Sequence, residues 1–143
     1  MVDREIVLRR IELIREYAGI LKEVLALPES DFVGDRDVYL KAERCLEVII
    51  QAMLDIGNHI ISDRQFRRPH RYDEIFEILG DNGVIDPGLA HKLRGLSGLR
   101  NILAHAYLDI DRARMREVVV EGFNQFEEYV AHVIELLDRL ERK

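Results

Sequence analysis

Apolar residues recur at alternating intervals of three and four along three long stretches of the chain. This spacing places them on one side of an α-helix, which is stable when that side is buried. Pro28 follows the first stretch, Asp35 precedes the second as a suitable N-cap, and the third is expected to run from about Asp111 almost to Lys143. The three sets are Val7, Ile11, Ile14, Ala18, Leu21 and Leu25; Tyr39, Ala42, Leu46, Ile49, Met53, Ile56 and Ile60; and Val119, Phe123, Phe126, Val130, Val133, Leu137 and Leu140. Strand signals are weak throughout, so the pattern predicts an all-α fold of four or five helices packed as a bundle.

Between the second and third stretches the helices are expected to be shorter. Residues 72–79 form a short amphipathic segment that a turn at 80–83 closes, because Gly, Asp and Asn tolerate positive φ. Asp86 and Pro87 then suit the N-cap and first position of a further helix over residues 87–106. Gly95 and Gly98 fall inside that helix, where each costs about 1 kcal/mol relative to Ala. They therefore predict close approach of the backbone to a neighbour or to a substrate.

The length of 143 residues suits one domain covering residues 1–143. The lone Cys45 cannot form an internal disulfide, and its apolar surroundings favour a packed thiol over a reactive one. No uninterrupted apolar run approaches the ~20 residues of a membrane span, and the first residues have no signal-peptide core. We therefore expect a cytoplasmic protein that does not enter a membrane.

The net charge of −6 is unevenly distributed. Residues 62–116 contain ten Lys and Arg against eight Asp and Glu, whereas the rest of the chain contains eleven against nineteen. An acidic protein is ordinarily a poor partner for nucleic acid, since phosphate binding depends on Lys and Arg. Here the acidity belongs to the outer helices, and the glycine-rich centre is mildly basic.

The densest basic segment is residues 62–72, in which Phe66 and Tyr72 are interleaved with four arginines. The arginines are Arg64, Arg67, Arg68 and Arg71. Such a segment suits binding along an RNA backbone, with aromatic rings that stack on bases. It equally suits a solvated connector whose arginines pair with carboxylates of neighbouring helices. Charge alone leaves these two interpretations open.

Polar groups able to carry acid–base chemistry interrupt the leucine-rich helix near its end. Asn101 and His105 lie one helical turn apart, and Arg100 precedes them. A neutral imidazole can take a proton from a ribose 2′-OH, and a guanidinium can hold a phosphate as its charge grows. These groups suit RNA cleavage. An Arg and a His in one helix are also common as ordinary capping or core residues.

Residues 100–105, Arg-Asn-Ile-Leu-Ala-His, resemble the Arg-x4-His motif of the HEPN superfamily. The extension to Tyr107 is similar to the RNxLxHxY form of the HepT-like toxins. Residues 42–60, which include Asp-Ile-Gly-Asn-His at 55–59, resemble the second helix of that family. Gly98-Leu99 and the aromatic final helix also resemble the corresponding parts of the family. The similarity covers nearly the whole chain, and the departure is Ala at positions 104 and 106, where bulkier or charged residues often occur.

The resemblance implies an up-and-down four- or five-helix bundle of HEPN type that forms a homodimer, with the motifs of two subunits facing a shared cleft. It implies a metal-independent endoribonuclease without a cofactor, in which Arg100 and His105 are catalytic and Asn101 supports the geometry of the site. It also implies a partner, a minimal nucleotidyltransferase antitoxin similar to MntA. That partner would neutralise the toxin by AMPylating Tyr107.

Two other classes of protein remain open on the sequence. In a non-catalytic helical adaptor, Arg100 and Tyr107 would recognise a nucleotidyltransferase or a nucleotide. In a purely structural bundle, Arg100 would form an ion pair away from any cleft. His59 is interpreted as a hydrogen-bonded structural residue rather than a part of the cleft, and no pattern typical of a zinc or di-iron site occurs.

Overall fold

The computed structural model describes residues 2–104 and 111–142, except for the side chains of residues 100, 101 and 104. The described residues form seven helices and contain no strand. The helices are α1 (Arg4–Leu25), α2 (Glu29–Gly34), α3 (Arg36–Asp63), α4 (Tyr72–Asp81), α5 (Pro87–Ala104), α6 (Arg112–Gly122) and α7 (Asn124–Glu141). The predicted all-α fold is confirmed.

Single aspartate side chains cap the first long helices of the bundle. The carboxylate of Asp3 accepts a hydrogen bond from the N–H of Ile6, and α1 ends at Leu25 shortly before Pro28. Asp35 caps α3 as predicted, because its carboxylate accepts from the N–H of Asp37 at 2.9 Å. Between them lies α2, a helix that the apolar pattern does not show because six residues are too few to display a period.

The central helix is α3, which buries thirteen residues around most of its circumference. It contains an 18-residue stretch long and apolar enough to cross a membrane by length and composition, although the sequence has no uninterrupted apolar run of that length. In the structure 61% of this stretch is buried against the other helices. Its apolar surface is therefore the surface that holds the bundle together.

The third apolar stretch is divided, whereas the pattern predicts one continuous helix. Asp111 caps α6 as expected, and α6 ends at Gly122 while α7 begins at Asn124. Phe123 between them keeps helical dihedrals, and its carbonyl accepts a shorter-range hydrogen bond from the N–H of Phe126 at 3.3 Å. The apolar spacing continues across this local tightening, which is why the sequence does not reveal it.

Gly57 allows α3 and α4 to pack closely. A Cβ at this position would meet the Cγ2 of Ile75 at 2.5 Å and the Cδ1 of Leu79 at 3.2 Å. The neighbouring Tyr129 of α7 is fully buried, and its hydroxyl donates to the carbonyl oxygen of Met53 at 2.8 Å. This burial raises the pKa of the Tyr129 hydroxyl. The contact sets the position of α4, and α5 packs on α4 in turn.

The glycines of the central region have different roles. Gly83 has φ of +72° and closes the turn after α4 as predicted. Gly95 and Gly98 do not approach another backbone in the described part of the chain, since a Cβ at either would meet nothing within 4 Å. Of the two predicted reasons for these glycines, a close neighbour is not found among the described residues, and approach of a substrate stays a prediction.

We predict opposite effects for two glycine-to-alanine substitutions. Gly57→Ala should lower the free energy of unfolding by about 1–3 kcal/mol, because the methyl group must displace Ile75. Gly19→Ala in α1, where a Cβ meets nothing within 4 Å, should raise it by about 1 kcal/mol. Urea denaturation followed by circular dichroism measures both. Equal stability of the two variants would contradict the proposed close contact.

Candidate functional site

An open groove with a volume of about 860 Å³ lies where the basic loop and the first turn of α4 meet α5. We call it the α4–α5 groove. Its lining residues include Asn58 at one edge, Arg68 and Arg71 from the loop, and Arg94, Ser97 and Gly98 from α5. The groove therefore joins the segment with the densest basic charge to the helix that carries Arg100, the first residue of the Arg-x4-His motif.

The basic loop is held at the start of α4 by Glu74. Its carboxylate accepts a hydrogen bond from the N–H of His70 at 2.6 Å and lies 3.8 Å from the guanidinium of Arg67. The hydrogen bond from His70 lowers the pKa of Glu74, and the N–H of Arg71 and the two guanidiniums add to this effect. A carboxylate in the first turn also favours the helix through its dipole. The backbone of the loop is thus anchored to the first turn of α4 through Glu74.

Asp73 connects the loop to α5. One carboxylate oxygen lies 3.2 Å from the Nε of Arg71, and the other lies 3.4 Å from the Nε of Arg94. A single negative charge thus holds two guanidiniums beside each other at the groove. Together with Arg68, the groove keeps a net positive charge, which suits an anionic ligand.

The structure divides the four arginines of the basic loop. Arg67 and Arg71 form ion pairs with carboxylates of α4, as the connector interpretation expects. Arg68 and Arg71 line the groove, as an RNA-binding segment requires. Arg64 is exposed at the C-cap of α3 and is not among the residues that line the groove. Binding of RNA by this segment stays a prediction.

The motif lies at the end of α5. Leu96, Leu99 and Leu103 are buried and attach the last two turns of the helix to the core. Arg100 and Asn101 belong to the last turn, and helical periodicity puts position 101 on the same side as Ser97 and Gly98. His105 and Tyr107 lie outside the described residues, so the catalytic roles of Arg100 and His105 and the modification of Tyr107 remain predictions.

The chain beyond the motif is anchored at α6. The guanidinium of Arg112 donates to the carbonyl of Val33 at 3.0 Å and lies 4.6 Å from the centre of the Tyr39 ring. Arg116 donates to the carbonyl of Leu25 at 3.1 Å. Both arginines satisfy carbonyls at helix C-termini. The segment 105–110 therefore connects two helices that are each fixed to the bundle.

Several other polar residues have structural roles. The Nε2 of His59 accepts a hydrogen bond from the N–H of Asp3 at 3.0 Å, which confirms the structural interpretation. Asp55 accepts from Gln51 at 2.8 Å and lies 3.7 Å from Arg10. Cys45 is buried, as expected for a packed thiol, and burial raises its pKa.

A second groove of about 670 Å³ lies between α1 and α3. Its three arginines are each close to a carboxylate, with Arg9 2.9 Å from Glu5, and Arg10 and Arg44 3.7 and 3.6 Å from Asp55 and Glu47. The charges in this groove largely cancel. The α4–α5 groove is therefore the better candidate for an anionic ligand.

The sequence alone did not single out Arg94 or Asp73 as residues of the site. The signal was present in the spacing of Arg94, Ser97, Gly98 and Asn101 along one side of a helix.

Comparison with known proteins agrees with these features. The model of a family described as "Ribonuclease HepT-like" matches residues 14–133. The chain belongs to the HepT-like ribonuclease family. This confirms the family indicated by the motif and, at the level of the family, the expected endoribonuclease activity.

Two relatives of this HepT-like chain are named as nucleases. The tRNA nuclease HepT of Aphanizomenon flos-aquae is 32% identical over 99% of this chain and 97% of its own length. The mRNA nuclease HepT of Shewanella oneidensis is 31% identical over 71% of this chain and 74% of its own length.

Among solved structures, the tri-AMPylated HEPN toxin of Shewanella oneidensis in complex with MNT antitoxin is similar with a TM-score of 0.85 and 25% identity, over 93% of this chain and 99% of that one. The cytosolic YutE of Bacillus subtilis shares the fold with a TM-score of 0.85 at 20% identity, over 96% and 92% of the two chains. The HEPN-type architecture is thereby confirmed.

We predict that Glu74→Gln destabilises the HepT-like fold in a pH-dependent way. The folded state lowers the pKa of Glu74, so its stabilisation is present above the unfolded value of about 4.3 and is lost as the pH falls through the lower folded value. The variant should unfold at a lower temperature than the wild type at pH 7, and the difference should shrink towards pH 3. Thermal unfolding between pH 3 and 7 measures this. The matched variant Glu135→Gln should unfold like the wild type, and a Glu74→Gln difference that grows on acidification would contradict the prediction.

Proposed function

We propose that this protein is a metal-independent endoribonuclease toxin that cleaves RNA with Arg100 and His105 at the cleft of a homodimer. One observation carries the proposal. In a chain of the HepT-like ribonuclease family, the helix that bears Arg100 lines a groove together with arginines of the basic loop. The single domain of residues 1–143 would act in the cytoplasm.

The proposed reaction is an internal attack within the RNA. The imidazole of His105 takes the proton of a ribose 2′-OH, and the 2′-oxygen forms a bond to the neighbouring phosphorus. The bond from phosphorus to the 5′-oxygen breaks, and that oxygen leaves as a hydroxyl after protonation. The guanidinium of Arg100 stabilises the negative charge that grows on the phosphate oxygens, and Asn101 holds the site in its geometry.

The basic loop supplies the approach for RNA. Arg64, Arg67, Arg68 and Arg71 are all exposed, and two of them line the α4–α5 groove. In a two-fold dimer the mildly basic central stretch occurs twice around one cleft, while the acidic outer helices disfavour extended contacts. Binding is therefore expected to be local and sensitive to salt.

The proposed regulation is covalent. A similar HEPN toxin is tri-AMPylated and forms a complex with an MNT antitoxin. In this protein a nucleotidyltransferase similar to MntA would transfer AMP from ATP to Tyr107. The phenolic oxygen forms a bond to the α-phosphorus, the α–β phosphoanhydride bond breaks, and pyrophosphate leaves. Tyr107 is two residues after His105, so the modification would place a bulky anion at the catalytic motif.

We predict that His105→Ala abolishes RNA cleavage. Loss of the general base should lower the rate constant by about 10²–10⁴-fold without changing the thermal unfolding midpoint. Cleavage of total cellular RNA by purified protein and growth arrest on expression measure the effect. The control is His132→Ala on the half-exposed side of α7, which should cleave like the wild type. Equal activity of the wild type and His105→Ala would contradict the proposed role.

We predict that Tyr107 is the acceptor of AMP. Protein co-expressed with the neighbouring nucleotidyltransferase should gain the mass of one or more AMP units, mapped by mass spectrometry to the peptide that contains Tyr107. Tyr107→Phe should remain unmodified, whereas Tyr17→Phe should carry the same increment as the wild type. An increment that persists in Tyr107→Phe would refute the assignment.

A further inference from the structure

We propose that the α4–α5 groove is a binding subsite for the single-stranded RNA that flanks the scissile phosphate. In this subsite Arg71 and Arg94 hold a backbone phosphate, and Gly98 keeps the wall of the groove open for the strand. The inference rests on the proposed function and extends it to the class of substrate and to two residues, Arg94 and Gly98, outside the motif.

Asp73 lies between the two guanidiniums at the groove. Asp73 approaches both through Nε, at 3.2 Å for Arg71 and 3.4 Å for Arg94. In the described part of the chain neither arginine forms an ion pair with any other carboxylate. Both guanidiniums line the groove, and each has N–H donors besides Nε with which a guanidinium binds phosphate oxygens. Asp73 acts as a positioning residue, because it fixes both side chains in advance.

Gly98 has no packing partner among the described residues. A glycine inside a helix costs about 1 kcal/mol relative to alanine, and the described residues give no packing reason for it, because a Cβ there would meet nothing within 4 Å. Gly98 lines the groove, so the space that a side chain would occupy is space of the groove itself. Gly95 lies one turn earlier beside open space but does not line the groove. The two glycines therefore form a matched pair.

Arg94 lies a short distance along α5 from the motif. Arg94 precedes position 101 by seven residues, which is two helical turns and about 10 Å along the axis, so the two positions lie on the same side of α5. A strand that follows this side of α5 therefore reaches Arg94 with a phosphate close to, but different from, the one at the motif. Tyr72, whose side chain is half exposed at 52%, lies at the same groove and presents an aromatic surface for base stacking. Paired guanidiniums beside an aromatic ring favour single-stranded RNA over an acidic peptide.

Binding of RNA in a non-cleaving background tests the subsite. In His105→Ala protein we would measure the Kd of a fluorescein-labelled single-stranded oligoribonucleotide by anisotropy, and the unfolding midpoint by circular dichroism. Gly98→Ala should raise the midpoint yet weaken binding by about tenfold, because the methyl group enters the groove while the helix gains propensity. Gly95→Ala should raise the midpoint equally and bind like the parent protein. A role in folding alone predicts that stability and binding move together.

A second pair of variants tests the phosphate contact. Arg94→Gln should weaken binding and reduce the slope of log Kd against log salt by about 0.7, the value for one phosphate contact on a single strand. Arg114→Gln removes an exposed arginine of α6 whose partner is Glu117, and it should leave the slope unchanged. Sedimentation velocity on all variants shows whether Gly98→Ala alters the oligomeric state. If it does, the effect of Arg94→Gln on RNA binding decides whether the subsite exists.

The outcomes separate this inference from the proposed function. Unchanged binding by both Gly98→Ala and Arg94→Gln, or equal loss in Gly95→Ala, overturns the subsite while cleavage by the wild type upholds the ribonuclease. A wild type that binds the oligonucleotide through these residues but cleaves no RNA overturns the proposed function and leaves the subsite. An acidic peptide that competes as well as RNA of equal charge overturns the assignment to RNA.

Discussion

The close contact of α3 with α4 at Gly57 is the constraint on which the rest of the structure depends. Because position 57 has no side chain, Ile75 and Leu79 pack directly on the central helix. This contact brings the start of α4 beside α3, so that the basic loop and α5 meet there. The groove at the candidate site is thus a consequence of the apolar packing of α4 on α3.

Ion pairs and hydrogen bonds then hold the basic loop in position at the groove. Carboxylates of α4 hold the loop and its arginines in position: Glu74 binds the backbone at His70, and Asp73 lies between Arg71 and Arg94. These acids neutralise part of the basic charge, but they also keep the guanidiniums from sampling many conformations, which lowers the entropic cost of binding an anion. The net charge of −6 therefore says little about this surface.

Periodicity revealed the long helices because each buries one side over many turns. The predicted end before Pro28 and the predicted starts at Asp35 and near Asp111 agree with the structure. Periodicity missed α2, because six residues are too few to show the helical period of apolar residues. It also missed the division after Gly122, because the local tightening of the helix leaves the apolar spacing unchanged. The cost of glycine inside a helix also suggested that a neighbour or a substrate approaches Gly95 and Gly98, and no described residue lies within 4 Å of a Cβ at either position. A sequence shows that a glycine is costly but not which neighbour, if any, explains it.

The sequence by itself determined the helical class, the main caps and the family, because these depend on local spacing and on a motif contained in eight consecutive residues, 100–107. Only the tertiary structure decided that Arg94 and Asp73 join the basic loop and that Gly98 faces the groove while Gly95 does not line it. The contact between Asp73 and Arg94 spans 21 positions of the chain and depends on how α4 and α5 turn against each other. That rotation is set by the packing of many side chains together, and no local pattern encodes it.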